Sequence, residues 1–497
     1  MLFPRAANRT VMKTLTTTGV RTGLSLALLV FCAGGAGAQT TSDTSGAPPA
    51  ATGPDTATGG IENPPLSGLD SPSFEPGFGA RSYLAPKIQV SEAVDTNSSG
   101  ALSSRTAVRD VTRGLGSLDL QKLWKVHPLN VDYTGGVVWF QGKGGGQTYQ
   151  LHSLAAIQRI LWRTGQLSLR DSFSYLPQGS FGSNSYGGAG GFSGGGGLGS
   201  LGGGVTSGGG IAGGGGGGVF GGGQFGTLTN QPRITNSAIV DIAQSLSPRS
   251  SVVLGGGYAL TDFLNNPQGY INSQQSTGLA GYNYQLNRHD QIAFSYAFQE
   301  IHFPHAGSGS VNVNVWQVHY GHRVSGKLDL SLSAGPQWVR AYNTIGGTSS
   351  YLSGAGQAAL RYSSSARTST SLSYSHFTNA GSGFFSGANT DAGRLALNHM
   401  LTRHWSFVTD VGYSYSTRVL KTLSSTANNS HAYNSWYAGG ALRRQLGRHF
   451  GAIASYQYDN THFGSGFCQT GTTCSSGYGR HVGLIGLDWT PSPIRLE

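Results

Sequence analysis

Charge is the first thing this chain lacks. Only 11% of its 497 residues are Asp, Glu, Lys or Arg, under half the share of an ordinary soluble domain. Methionine and cysteine are scarce, with three of each, and three cysteines cannot staple a disulfide-built scaffold. A charged disordered tail protein is excluded too, because aromatic residues make up 10% and disordered chains are poor in them. Beyond residue 38 no apolar run approaches the roughly 20 residues of a membrane helix. Metal and phosphate signatures are also missing: there is no H-E-x-x-H, no C-x-x-C and no G-x-x-x-x-G-K-[ST].

What is abundant is glycine, with 80 residues, more than twice the usual share. The N-terminus carries an export signature. Arg5, Arg9, Lys13 and Arg21 precede the apolar run Leu24 to Ala33, and Ala36-Gly37-Ala38 supplies the small residues of a cleavage site. Residues 1–38 are therefore expected to be a signal peptide. Its removal takes four positive charges and no acids, leaving 28 − 21 = +7. Residues 39–85 hold Pro48, Pro49, Pro54, Pro64, Pro65, Pro72 and Pro76 among Ser, Thr and Gly. This composition predicts a disordered periplasmic tether.

From residue 86 to 490 one unit recurs. A strand-like run meets a short basic or polar turn, and a second run follows. The turns fall near Lys125-Val126-His127, Arg163-Thr164-Gly165, Ser247-Pro248-Arg249, Asn287-Arg288-His289, Ser325-Gly326-Lys327, Ser365-Ala366-Arg367, Thr402-Arg403-His404 and Gly447-Arg448-His449. They lie about 40 residues apart once a Gly-rich insert at 178–226 is subtracted, the spacing of a hairpin array.

Within the runs apolar and polar residues alternate at the strand period. Ile292, Phe294, Tyr296 and Phe298 alternate with Gln291, Ala293, Ser295, Ala297 and Gln299, and Trp405, Phe407, Val411, Tyr413 and Tyr415 share a face against Ser406, Asp410, Gly412, Ser414 and Ser416. The second face is small and polar but almost free of Lys and Glu. That suits a crowded or watery lumen, whereas the first face, with its Trp and Tyr, suits lipid. A propeller would need four short strands per repeat, and a soluble sandwich more charge on its outer face. The expected fold is an all-β, transmembrane antiparallel up-and-down β-barrel. Eight hairpins give sixteen strands. Ile88 to Val94 and Gly479 to Trp489 as opening and closing strands make eighteen, with both termini periplasmic.

Lumen-lining candidates on the polar face are Arg170, Ser172, Ser331, Ser333, Gln337, Arg361, Arg394 and Asp410, with the arginines opposed by Asp329 and Asp410. The insert 178–226 holds 27 Gly in 49 positions, and no charge occurs between Asp171 and Arg233. It reads either as a flexible surface segment or as a plug or gate. Cys468 and Cys474 flank five residues in the last outward loop, and export to an oxidising compartment favours a disulfide between them. The 14 His are scattered, and no Ser/His/Asp set is joined by sequence, although Asp262 and His376 stand near one rim. No catalytic residue, metal site or cofactor is expected. The basic turns point to anionic headgroups or peptidoglycan rather than nucleic acid.

The stretch Gly116-Ser117-Leu118-Asp119-Leu120 through Val131-Asp132-Tyr133, with Arg163-Thr164-Gly165-Gln166-Leu167-Ser168-Leu169-Arg170-Asp171, resembles uncharacterised outer-membrane β-barrel proteins of acidobacteria across about 85–490. Val90-Ser91-Glu92-Ala93 followed by Asp95-Thr96-Asn97 is similar to the opening strand of barrels associated with exopolysaccharide export. Neither resemblance implies catalytic residues. Together with the barrel pattern they imply an outer-membrane location of Gram-negative type, contact with lipid and lipopolysaccharide, and insertion by the barrel-assembly machinery. The closing strand ends on aromatic Trp489, but Thr490 to Glu497 follow it. The expected function is a passive or gated porin-like channel for small hydrophilic solutes, sugars among them. Its alternatives are a non-conducting adhesion barrel displaying the Gly-rich loop, or a polysaccharide-export component. Oligomeric state and substrate are left open by the sequence.

Overall fold

Alternation over runs this long buries a backbone only if neighbouring strands pair all the way round. The computed structural model describes residues 82–96, 108–141, 146–176, 233–264, 271–287, 289–304, 309–325, 327–343, 347–365, 367–381, 385–419, 432–464 and 477–496. In chain order these form β1 (Tyr83–Asp95), β2 (Arg109–Lys122), β3 (Leu129–Gln141), β4 (Gln147–Trp162), β5 (Gly165–Leu176) and β6 (Arg233–Ser247). They continue as β7 (Ser250–Phe263), β8 (Ser273–Gln285), β9 (Asp290–Phe303), β10 (Gly309–Ser325), β11 (Leu328–Asn343) and β12 (Gly347–Ser365). The remainder are β13 (Thr368–Asn379), β14 (Ala388–Met400), β15 (Trp405–Arg418), β16 (Ala432–Gln445), β17 (Phe450–Phe463), β18 (Gly477–Trp489) and a two-residue β19 (Ile494–Arg495). Each strand pairs with the next, and β18 pairs antiparallel with β1. The result is a closed eighteen-stranded barrel, as the sequence predicts. The signal peptide, the tether up to residue 81, the Gly-rich insert and the Cys468–Cys474 pair lie outside the described residues, and the last three residues assigned to the tether, Tyr83 to Ala85, are corrected to strand because they pair with β2.

The opening strand is longer than Ile88 to Val94, starting at Tyr83. Its first residues overhang β18, since Ile88 already faces Trp489. The tail after Trp489 covers that overhang: Tyr83 and Leu84 pair with Arg495 and Ile494 of β19. The residues beyond the terminal aromatic thus complete the ladder at the seam.

Local chemistry explains the tight turns. In five of the eight a side-chain oxygen accepts the backbone N–H two residues on. Ser247, Ser325, Ser365 and Thr402 bond the N–H of Arg249, Lys327, Arg367 and His404 at 3.2 Å, and Asn287 bonds that of His289 at 2.7 Å. These are the local turns Ser, Thr and Asn favour. The Arg, Lys or His two residues on stands at the end of the barrel that also carries both termini of the described chain.

Burial confirms which face is inside. Along β9, Gln291, Ala293, Ser295, Ala297, Gln299, Ile301 and Phe303 are buried, while Ile292, Phe294 and Tyr296 are exposed. The polar face is therefore inward and the apolar face outward, but on β9, β10 and β11 this holds over only part of the strand. On β10 the lower half follows the rule, with Gln317 and His319 inward and Val318 and Tyr320 outward. Above Trp316 it inverts: Val311, Val313 and Val315 point in, and Asn312 and Asn314 point out. The same swap occurs on β9, where Ile301 and Phe303 face inward between outward Glu300 and His302. It occurs again on β11, with Val339 and Ala341 inward beside outward Arg340. The swap follows the outward aromatics Tyr296, Trp316 and Trp338. Lipid needs an apolar exterior, whereas water needs an apolar interior, so the girdle marks where the wall leaves the bilayer. The sequence expectation of a polar lumen holds below this level and is corrected above it on these three strands, whereas β6, β8 and β15 keep Thr235, Ser237, Ser273, Gln275, Ser414 and Ser416 inward near their outer ends.

Phe294→Arg tests the assignment of the outer face. Phe294 is exposed between Ile292 and Tyr296, within the apolar band. The substitution is expected to cost about 2–4 kcal/mol of stability in denaturant titrations of vesicle-embedded protein. A cost near zero would mean that this face does not meet lipid.

Candidate functional site

The lumen is the one concave surface the strands share, so its side chains are the candidate site. Its lower half presents buried polar groups, including Gln89, Gln121, Ser168, Asn283, Ser295 and Gln317. Ser331, Ser333 and Gln337 are inward and buried on β11, and Arg394 takes an inward position on β14, half-buried. The side chains of Ser172, Arg361 and Asp410 lie outside the described part. Their backbones pair with Ser237, Asp329 and Ala396 respectively.

Several inward charges occur as opposite pairs. Arg170 is buried against Asp241 of β6. For Arg170 this replaces Asp329 and Asp410 of the sequence reading, whereas Arg361 does lie opposite Asp329 in the register and Arg394 lies on the strand beside Asp410. Asp329 accepts from Arg323, at 3.2 Å. Two pairs clamp the closing seam. Arg480 of β18 holds Asp95 of β1 with two bonds of 3.0 Å. At the other end Asp488 lies 3.6 Å from Lys87 of β1 and accepts from Arg443 of β16 at 2.8 Å. Arg443 reaches it across Gly451 of β17, where a Cβ would stand 2.7 Å from Asp488 Oδ1.

Above the girdle the lumen changes character. Ile301, Phe303, Val311, Val313, Val315, Val339 and Ala341 form one apolar cluster with Val419. A second cluster joins Val111, Leu115, Val138, Phe140, Ile453 and Leu484. A segment of chain covers the first. β12 and β13 pair only from Gly356↔His376 toward the turn. Above that level β12 keeps only β11 as neighbour, and Phe377 to Asn379 keep only β14. The tip of the β13–β14 hairpin has left the wall and folded inward. The Thr378 hydroxyl lies 3.4 Å from Gln337 Oε1 on β11, and Asn389 Nδ2 donates to the Tyr351 hydroxyl of β12 at 2.9 Å. At Gly387 a Cβ would stand 3.1 Å from Val311 of β10.

The tip is anchored by Phe385, which has 0% exposure. Its ring packs on Tyr433 at 5.3 Å, Tyr433 packs on Phe463 at 5.9 Å, and the Arg418 guanidinium sits 4.7 Å over Phe385. Aromatic and cation–π contacts of this kind each contribute about 0.5–2 kcal/mol. Gly381 and Gly387 bracket the anchor with φ of +79° and +82°, a conformation that strains any side chain with a Cβ. Sequence reading missed this device. One available signal is the recurrence of Asp or His before Phe at the upper ends of β7, β9, β13 and β17: Asp262-Phe263, His302-Phe303, His376-Phe377 and His462-Phe463. Three of these Phe are buried inside the rim.

Asp262 and His376 are not brought together. His376 Nδ1 lies 2.8 Å from Asp391 on the outer wall, and Asp262 is bonded by Asn272. Among the described residues no group of three His, Cys, Asp or Glu could hold a metal.

No family model matches the chain, and no curated protein matches it. Among solved structures it is similar to the Pseudomonas aeruginosa protein OccK2 (OpdF) in complex with glucuronate, at 8% identity and a TM-score of 0.40, covering 84% of this chain and 100% of that one. Acinetobacter baumannii OccAB2 matches at 8% identity and a TM-score of 0.39, covering 83% and 98%. The FrpB iron transporter of Neisseria meningitidis matches at 8% and 0.39, covering 83% of both chains. Likenesses this remote do not distinguish one function from another.

Removing Asp95 leaves Arg480 buried without its main counter-charge. Asp95→Ala is expected to lower stability by about 3 kcal/mol, and Asp95→Leu/Arg480→Met to recover most of that. Urea unfolding in vesicles reads both, and equal losses in the two variants would remove the seam clamp from the account.

Proposed function

We propose that the protein is an outer-membrane, porin-like channel for small hydrophilic solutes, gated or narrowed at its outer mouth. The single observation that carries this reading is the closed eighteen-stranded wall with a polar lower lumen. Barrels of 16–18 strands are wide enough for an aqueous path. The turn-bearing end is read as periplasmic, so that basic turns face peptidoglycan and the Gly-rich insert faces outward. Polar side chains in the lower lumen offer hydrogen bonds to hydroxylated solutes, which makes small sugars the finer substrate proposal. The inward tip at Phe385 is read as the constriction.

Planar-bilayer recording of protein shown to be folded by heat-modifiable gel mobility tests the reading. Wild type is expected to give discrete conductance steps. Phe385→Ala is expected to raise the step size or the open fraction at least about twofold, since it releases an anchor of about 1–3 kcal/mol. Swelling of vesicles in sugars of increasing size then sets the cut-off. Silence in wild type and variant alike would count against a channel.

A further inference from the structure

The hairpin β2–β3 and strand β1 place an unusual set of oxygens on the lumen wall near the terminus-bearing end. Asp119 and Asp132 sit directly opposite each other in the register, and one inward position nearer the turn Gln121 faces Asn130. Directly opposed side chains have Cβ atoms about 4.5–5.5 Å apart, and like charges there are destabilising. Apart from the Tyr83 hydroxyl, which donates to Asp119, no contact offsets them among the described residues. Neither carboxylate pairs with a cation among the described residues, and the inward lysine of β1, Lys87, is turned to Asp488.

Independent of the two carboxylates, Asn130 is 5% exposed and its Oδ1 has no hydrogen-bond partner. A buried amide carbonyl without a donor is costly. Asp119 adds a second orphan: Tyr83 donates to its Oδ2 at 2.9 Å, while Oδ1 is buried and unbonded. Register puts Asn130, Asp132 and Asp119 on one small square of wall with Gln121 at its fourth corner, and two of the acceptors there, Asn130 Oδ1 and Asp119 Oδ1, are buried without a hydrogen-bond partner. The donors are all oxygen, with no thiol and no imidazole on the square. That chemistry fits a hard divalent cation, and Ca²⁺ in particular, which takes carboxylate, amide and water oxygens at about 2.3–2.6 Å in flexible geometry.

We propose that Asp119, Asp132 and Asn130 Oδ1 bind a divalent cation of the Ca²⁺ type, with water completing the shell. Tyr83 positions Asp119 from β1, so an occupied site fastens the opening strand to the hairpin beside the closing seam. The proposal does not depend on whether the barrel conducts.

The test uses the folded barrel in detergent after EDTA treatment, with Ca²⁺ and Mg²⁺ as probes. Saturating Ca²⁺ is expected to raise the heat-unfolding midpoint of wild type by several degrees, more than Mg²⁺ does. Asp119→Asn/Asp132→Asn is expected to lose the shift and, without Ca²⁺, to melt at or above the wild-type temperature, because the repulsion is gone. Tyrosine-sensitised Tb³⁺ emission gives a second readout: Ca²⁺ should displace Tb³⁺, and Asn130→Ala should bind it at least about tenfold more weakly. No Ca²⁺ shift in wild type, a full shift in the double variant, or equal Tb³⁺ affinity in wild type and Asn130→Ala would overturn the site.

Discussion

A peptide group inside a bilayer has no water to bond, and each one left open costs several kcal/mol. A sheet can meet that condition only by closing on itself. The pairing of β1 with β18 is therefore the contact on which every other strand depends, and the molecule treats it accordingly. Eight consecutive residue pairs join the two strands, Ile88↔Trp489 to Asp95↔Val482. Where β1 overhangs, β19 supplies the missing partner. Inside the lumen, ion pairs at both ends of the seam add side-chain restraint to the backbone ladder. Breaking such a pair costs more here than on an open surface, because Asp95 and Arg480 are withdrawn from solvent and the charge left behind is buried.

Once closure is secured, the wall answers to two solvents in turn. Its lower part is dressed for lipid outside and polar contact inside. Its upper part, along β9, β10 and β11, is dressed like a soluble sheet, apolar within and polar without. The inward-folded tip exploits this second zone. Phe385 packs on Tyr433, which packs in turn on Phe463, while Gly387 comes up against Val311 of β10. The inward seat of this tip thus meets the stretch of wall that has turned apolar.

Much of this was legible in the residues. Period-2 alternation and the recurring Ser-x-Arg, Ser-x-Lys and Asn-x-His turns are local signals, and local hydrogen bonds of the kind Ser247 makes to Arg249 enforce them. Register then follows from turn positions, which is why the strand count could be read. The inversion on β10 was also written in plain sight, as Val311-Asn312-Val313-Asn314-Val315, but alternation alone does not say which face is in. What stayed hidden was long-range. Nothing in the sequence around Arg170 points to Asp241, 71 positions away. Nor does anything local to Gly387 announce Val311. The lumen candidates Ser331, Ser333 and Gln337 could be assigned to a face by counting, whereas their neighbours across the lumen could not.

The overshooting rim has a thermal consequence. Its apolar interior is held by exclusion of water, a force that carries a large heat-capacity change and weakens on cooling. The belt below meets hydrocarbon on one side and has no comparable water-driven contact to lose there. The two zones of a single continuous strand such as β10 therefore answer temperature differently: the mouth loosens in the cold while the membrane ring does not. A wall that seems uniform in its backbone pairing is, in its response to heat, two materials joined at the aromatic girdle.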